Sequence, residues 1–401
     1  MAEKGLRVLG FAVAEGSDVG LEPDVPLTWV GLAGLSDPPR RDVREIIEGF
    51  YKAGVKPVMV TGDQSSTAYA IARAIGLGAG RDIQVLDSTA LAKVPEEVLG
   101  ALAARVDVFS RVSPTHKLHV IRALQRAGLV VAMTGDGIND GPALRAADVG
   151  IAMGKGGDDV AREVADVVLL EDQLGALLRA VAEGRTIGDD IRKSVHFIVA
   201  TNLSEVLVTL AGVAMGLDVP LTPRQLLWIN LLSDVFPELA LAVEPPEGDV
   251  LQRPPRDPAA ALVTAPEYSR LGGDAMIMTL AALASHLYGL TKQSGRGQPS
   301  TMAFVTLTAA QLLHAIGERS EASSLFDGPR LPPNRYMQAA VLGGLSLQIA
   351  AGVMGPLRHL LGAAPLTMAD AILAWGAAGA SFVATEAFKS LRHRSTADGT
   401  P

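Results

Sequence analysis

The densest run of reactive side chains in this sequence is Met133-Thr-Gly-Asp-Gly-Ile-Asn-Asp-Gly-Pro-Ala-Leu144. A hydrophobic strand leads into Gly135-Asp136-Gly137, and a helix is predicted to begin near Asn139. Two carboxylates, Asp136 and Asp140, therefore flank an amide at the C-terminal end of a strand. Hard oxygens so placed suit Mg²⁺, which binds through one or two carboxylates and keeps water and phosphate oxygens in its shell. A bare Gly-Asp-Gly would read as a capped turn, but twelve residues in this order carry more than that.

Two other segments offer complementary groups. Val60-Thr-Gly-Asp63 closes an apolar run and opens a helical one, so the Thr61 hydroxyl and free backbone N–H groups can hold phosphate oxygens at a helix N-terminus. In Arg111-Val-Ser-Pro-Thr-His-Lys117 two cations surround a helix start, where a positive charge opposes the helix dipole. Lys117 makes most sense there if it reaches an anion. Further along, polar groups interrupt apolar runs, where each is costly and therefore a functional candidate. Asn202 and Glu205 lie three apart on one helical face, and Asn230, Ser233 and Asp234 share another, with Pro237 able to break the helix nearby. Together they form an oxygen-rich set suited to a hard cation. The plainer reading is hydrogen-bonding between helices.

The elements that must position these groups fall into two halves. Up to about Ser194, short apolar runs at 28–35, 55–60, 83–86, 106–109, 129–133, 149–153 and 167–170 alternate with amphipathic stretches at 41–53, 65–75, 114–127 and 141–147. That alternation predicts a parallel α/β sheet covered on both faces, with ligands at the strand ends. Beyond Ser194 the apolar runs are longer, at 195–217, 224–243, 275–290, 302–317, 337–357 and 366–386, several approaching the roughly 20 residues that cross a bilayer. If the α/β half is cytoplasmic, the inside loops hold Arg253, Arg256, Arg270, Arg319, Arg330, Arg335, Lys389, Arg392 and Arg394, and the outside loops hold Lys292, Arg296 and Arg358. That asymmetry favours six spans over buried core helices. Mean hydropathy is +0.28 although 19% of residues are charged, because the two halves differ. With no cysteine, disulfides, thiolate metal sites and Cys nucleophiles are excluded. A formal charge of −8 without a long basic block argues against a nucleic-acid partner.

Taken together, Asp37-Pro-Pro-Arg40, Thr61-Gly-Asp63, Arg111…Pro114…Lys117 and Thr134-Gly-Asp-Gly-Ile-Asn-Asp140-Gly-Pro resemble the phosphorylation-domain motifs of P-type cation-transporting ATPases, in the same order. The resemblance implies a Rossmann-like, haloacid-dehalogenase-like core that binds Mg²⁺ and ATP and forms an aspartyl phosphate. It places Mg²⁺ on Asp136, the phosphoryl group on Thr61, Gly62 and Asn139, and its neutralising charge on Lys117, with Asp140 in the same motif. Arg7, Asp63 and Arg111 match positions that approach the nucleotide. On this reading 1–26 is a remnant of the nucleotide-binding domain, 27–194 the phosphorylation domain, and 195–401 a six-span bundle. The chain contains no Asp-Lys-Thr-Gly, the family's nucleophile motif. Only the C-terminal half of such a pump is matched, so the chain is expected to be inactive alone. An N-terminal half would have to supply that motif.

The membrane runs carry a second resemblance. Thr201-Asn-Leu-Ser-Glu205 and Leu226-Leu-Trp-Ile-Asn-Leu-Leu-Ser-Asp234 are similar to the fifth and sixth spans of sarcoplasmic-reticulum-type calcium pumps. This implies that Asn202, Glu205, Asn230, Ser233 and Asp234 ligate a transported cation, with Ser233 where Thr is usual. Gln311 falls where those pumps place a Glu, removing one negative charge. Ca²⁺ is favoured and Mn²⁺ remains open. The competing expectation is a pump-derived membrane module that holds a cation or Mg-phosphate without turnover, in a regulatory or assembly role.

Overall fold

A computed structural model describes residues 6–14, 27–35, 38–91, 94, 96–171, 173–217, 219–248, 250–292, 297–320, 324–326 and 331–397. Asp37, Arg296 and Arg330 lie outside them, as do the side chains of Arg7 and Arg394. The chain divides into two units, 1–182 with 251–258, and 183–250 with 259–401.

The first unit opens with β1 (Arg7–Val13) and β2 (Thr28–Leu35), which pair antiparallel with Arg7 opposite Leu35. The sequence pattern predicts 28–35 as a strand of the parallel sheet. Instead it forms this separate ribbon, and Trp29, Val30 and Leu32 are exposed. The parallel strands come as two sheets. After α1 (Val43–Lys52), β3 (Met59–Val60) and α2 (Ser65–Ala74) come β4 (Val85–Asp87), the short α3 (Ser88–Leu91), α4 (Glu96–Ala103) and β5 (Val108–Ser110). These strands order as β3-β5-β4. After α5 (Pro114–Arg126) come β6 (Ala132–Gly135), α6 (Gly141–Ala146), β7 (Val149–Met153), α7 (Asp159–Val164) and β8 (Val167–Leu169), ordered β6-β7-β8. Each short parallel strand is followed by a helix, as crossover connections between parallel strands require. Among the described residues, β3 and β6 are edge strands of their sheets. Buried Val106, Phe109, Val112, Val120 and Ala123 pack β5 against α5, while Leu144, Ala152 and Ala161 pack β7 against α6 and α7.

The helix α5 begins where the sequence signals it. Ser113 caps it, accepting from His116 N, and Pro114 occupies its first turn, where a missing N–H costs nothing.

The 40-residue helix α8 (Gly175–Ala214) contains the boundary between the two units. The second unit continues with α9 (Pro223–Ile229), a π-helical segment Asn230–Val235, α10 (Phe236–Leu241), α11 (Ala265–Thr291), α12 (Gln298–Gly317), α13 (Arg335–Val353), α14 (Gly355–Leu360) and α15 (Met368–Ala397). Four described helices are long and apolar enough to cross a membrane: Gly175–Ala214, Gln298–Gly317, Arg335–Val353 and the stretch Met368–Arg392. The expected spans at 224–243 and 275–290 are helical but stand outside that group. The first is split by the π segment, and the second lies within α11. The core of this unit is formed by Leu271, Met278, Phe304, Leu307, Ala374, Ala378 and neighbours, so α12 is enclosed by α11 and α15.

Candidate functional site

In the first unit the phosphate-type motifs lie at strand ends, Thr61-Gly-Asp63 at one three-stranded sheet and Asp136–Asp140 at the other. Thr61 follows β3, its N–H bonded to Phe109 O of β5 at 2.9 Å. Its hydroxyl donates to Asp63 Oδ2 at 2.9 Å and accepts from Asp63 N at 3.1 Å, so Thr61-Gly62-Asp63 is a turn locked by its own side chains. Arg111 N donates to Asp63 O and Val112 N to Thr61 O, joining this turn to the end of β5. To make that bridge Arg111 takes φ +53°, a left-handed conformation that a side-chain-bearing residue adopts at a cost of about 1–2 kcal/mol. Its guanidinium Nε stands 3.6 Å from Asp87 Oδ2, at the end of β4. Thr89's N–H and hydroxyl donate to Asp87, helped by Ser65 and Arg111, and hold its carboxyl below the usual carboxylate range.

Beyond β6, Ile138–Asp140 form a single 3₁₀ turn leading into α6. Asp140 is buried and accepts from Lys117 Nζ at 2.5 Å. Lys117 of α5 is therefore brought to the strand-end motif, and the anion it meets here is Asp140. A Cβ on Gly135 would lie 2.6 Å from Asp140 Cβ, so only glycine at the end of β6 leaves room for this carboxylate. Asp136 and Asn139 are exposed at the same turn. The Asp136 carbonyl accepts from Asp158 N at 2.8 Å, while its carboxylate has no partner among the described residues. That leaves one free hard-oxygen donor beside the Lys117–Asp140 pair, the donor chemistry Mg²⁺ takes. Arg7 opens β1, and its side chain lies outside the described residues.

In the second unit a polar cluster surrounds Glu205 of α8, which is buried. Gln311 of α12, fully buried, donates through Nε2 to Glu205 Oε1 (3.2 Å), Ser204 Oγ (3.3 Å) and Thr201 O (3.2 Å). With its amide turned to donate, Asn230 reaches Glu205 Oε1 and Oε2 at 3.3 and 3.2 Å. Asp234 accepts from the Thr201 hydroxyl at 3.4 Å. Ser233 is fully buried with Oγ unpartnered, and Gln311 Oε1 is likewise unpartnered. Unpaired buried acceptors of this kind cost free energy unless something binds them. Asn202 behaves differently: it is exposed, and its amide donates back to Ile198 O of its own helix.

Asn230, Ser233 and Asp234 all lie on the π turn. Pro237 has no N–H to offer, and widening the preceding turn to Asn230–Val235 accommodates the lost bond. Such bulges recur at functional sites. Sequence reasoning placed the break near Pro237 but passed over Thr201 and Ser204. Their signal was available, since a Thr and a Ser just before Glu205 in an apolar helix need partners for their hydroxyls.

A family model described as haloacid dehalogenase-like hydrolase matches residues 10–148, and one described as cation transporting ATPase, C-terminus, matches 218–391. The chain is 36% identical to a calcium-transporting ATPase of Bacillus subtilis over 381 residues, which cover 94% of this chain and 42% of that protein. It is 35% identical to the rat calcium-transporting ATPase type 2C member 2, over 97% of this chain and 40% of the relative. With the human type 2C member 1 identity is 33%, over 98% of this chain and 42% of the relative. The chain thus spans about two fifths of the length of these relatives.

Proposed function

The chain corresponds to the C-terminal half of the P-type cation-transporting ATPases, and on that footing we propose that it is the phosphoryl-handling and ion-conducting portion of an ATP-driven calcium pump. The observation that carries this reading is the convergence on Glu205 of Gln311 from α12 and Asn230 from the π turn, with Asp234 tied in through Thr201. Carboxylates, amides and a buried unpartnered hydroxyl from three helical segments make an oxygen-only donor set, which favours Ca²⁺ as cargo, with Mn²⁺ next. Gln311 supplies oxygen without charge, so the set carries two carboxylates, Glu205 and Asp234.

In the phosphorylation domain, Asp136 would hold Mg²⁺, which when bound supplies positive charge to phosphate oxygens. Gly62 offers a backbone N–H at a strand-to-helix turn, Thr61 its hydroxyl once released from Asp63, Asn139 an amide donor, and Lys117 a cation. Preorganised donors of this kind stabilise a transferring phosphoryl group. For Lys117 to serve an incoming phosphoryl oxygen, its bond to Asp140 must be shared or exchanged. Arg7, Asp63 and Arg111 would approach the ATP.

The attacking carboxylate is absent from the chain, which contains no Asp-Lys-Thr-Gly. The edge positions of β3 and β6 support a strand supplied by an N-terminal half, laid along them with its Asp at the strand-end motifs. The carboxylate oxygen of that Asp would bond to the γ-phosphorus while the bond to ADP breaks. All six apolar segments would then cross the lipid bilayer, with the phosphorylation domain on the cytoplasmic side, as the loop charges favour.

The test is phosphoenzyme formation from labelled ATP. The expected outcome is an acid-stable, Ca²⁺-dependent phosphoenzyme when the chain is combined with an N-terminal half carrying the motif, and none on the chain alone. Label on the isolated chain would overturn the missing nucleophile. Cation-dependent thermal stabilisation with no label, even after complementation, would favour a non-catalytic module.

A further inference from the structure

One turn beyond Gln311 along α12, a second polar group is built that the transport reading does not use. His314 near the end of α12 and Glu318, its C-cap, stand four residues apart on one side, and Asp274 of α11 faces them. Ligand atoms from all three lie within 4.8 Å of one another. They line a cavity of about 190 Å³, together with Arg270, Glu386, Lys389 and Arg392.

The state of His314 is the informative detail. The residue is 4% exposed, its ring lies nearly parallel to Phe197 with centroids 6.2 Å apart, and Nε2 has no hydrogen-bond partner. That nitrogen stands 3.6 Å from Glu318 Oε1 and aims at the carboxylates. An Nε2 left without a hydrogen bond beside two carboxylates is a place for a metal ion, which the nitrogen can ligate while both negative charges attract it.

The neighbouring charges narrow the choice. Glu318 is held by Arg270 Nη2 at 3.3 Å, and Lys389 lies 3.8 Å from Glu386 while donating to the carbonyls of Gly317 and Ser320. Asp274 has no hydrogen bond or ion pair among the described residues and fronts the cavity. Two donors, Asp274 and His314 Nε2, are thus uncommitted, with a third, Glu318, at hand. One imidazole nitrogen with carboxylate oxygens matches Zn²⁺ and its neighbours, not Ca²⁺ or Mg²⁺, which prefer oxygen alone. A Zn²⁺ ion with bonds of about 2.0–2.1 Å brings its ligands to about 3.4 Å apart, close to the separation His314 and Glu318 already have.

We propose that Asp274, His314 and Glu318 form a binding site for a Zn²⁺-class divalent ion that ties α11 to α12. The cavity leaves room for water in the fourth position. Bound there, the ion fixes the stretch of α12 from which Gln311 reaches Glu205.

The test uses the full chain in detergent micelles, stripped of metal and then titrated with Zn²⁺, and with Co²⁺ as a spectroscopic probe. One equivalent should bind, with the visible absorption of low-coordinate Co²⁺ and an upward shift in unfolding temperature. H314Q and D274N should each weaken binding by roughly tenfold or more. E205Q should leave it unchanged, separating this site from the transport cluster. D274N keeps volume and adds no charge, so its folding can be checked independently by the unchanged melting of its metal-free form. Absence of Zn²⁺ binding to the parent chain at micromolar metal would overturn the proposal. So would equal affinity in H314Q and D274N, or loss of binding in E205Q alone. A proton on His314 Nε2 in a metal-exposed sample, seen by NMR, would leave no lone pair for the metal and overturn it too.

Discussion

Lys117 Nζ lies 2.5 Å from Asp140 Oδ1, so the first turn of α5 is pinned to the 3₁₀ turn that follows β6. The side chains are 19% and 9% exposed, which places this ion pair where water screens it poorly. It also links a helix that follows one three-stranded sheet to the strand end of the other.

Breaking the pair from one side should be costly. K117M leaves Asp140 buried and unpaired, at about 3 kcal/mol, within the range for stranded buried charges. Adding D140N should recover most of that loss, because the stranded charge is gone. Urea denaturation of the parent, the two single variants and the double variant measures the coupling. Additive losses would mean the pair contributes nothing.

Arg111 should separate backbone strain from side-chain charge. R111A and R111G both lose the contact to Asp87, but only glycine takes φ +53° without steric cost. R111G should therefore be more stable than R111A by about 1 kcal/mol, reversing the usual order of the two residues. The difference is read directly from paired denaturation curves. R111A matching or exceeding R111G would show the left-handed turn is not strained.

Gln311 contributes a neutral amide to the polar cluster around Glu205. Q311E would add a third carboxylate to the cluster, set directly against Glu205 where the amide now donates at 3.2 Å. In chelator the variant should unfold at lower temperature than the parent. With Ca²⁺ added it should gain more, since the extra charge strengthens cation binding and binding stabilises the folded state. Equal calcium-induced shifts in the two proteins would remove Gln311 from the cation site.

Asp87 predicts a pH dependence. Thr89's N–H and hydroxyl, with Ser65 and Arg111, lower its folded-state pKa below the unfolded value of about 3.9. A depressed carboxyl stabilises the fold above the unfolded pKa and loses that contribution as pH falls through the folded pKa. D87N should be less stable than the parent at pH 7, and the gap should close as pH drops below about 4. A gap of constant size across pH would assign the effect to shape, not charge.

Several features were legible in the sequence because they are local. Ser113 before Pro114 announced the start of α5, and Pro237 announced a disturbance of its helix. The Gly135–Asp140 run also read correctly as a strand end passing into a helix. Residues 28–35 did not, because an apolar run reads the same whether it enters a parallel sheet or pairs with an antiparallel neighbour. That choice depends on Arg7–Val13, at a distance along the chain. The spacing of Asn202 and Glu205 put them on one face. The fold turns Asn202 out to bond its own helix, while Glu205 is buried against α12.

By itself, then, the sequence determined the periodicities, the caps and breaks, and the order of motifs, since these depend on backbone preferences over a few residues. Only the tertiary structure decided which charges meet. Lys117 could have served any anion, but burial beside Gly135 gave it Asp140. Gln311 lies 106 residues from Glu205, and no local rule pairs them. Those partners were set by helix packing in the second unit, because a buried polar group is tolerated only where another element brings it a complement.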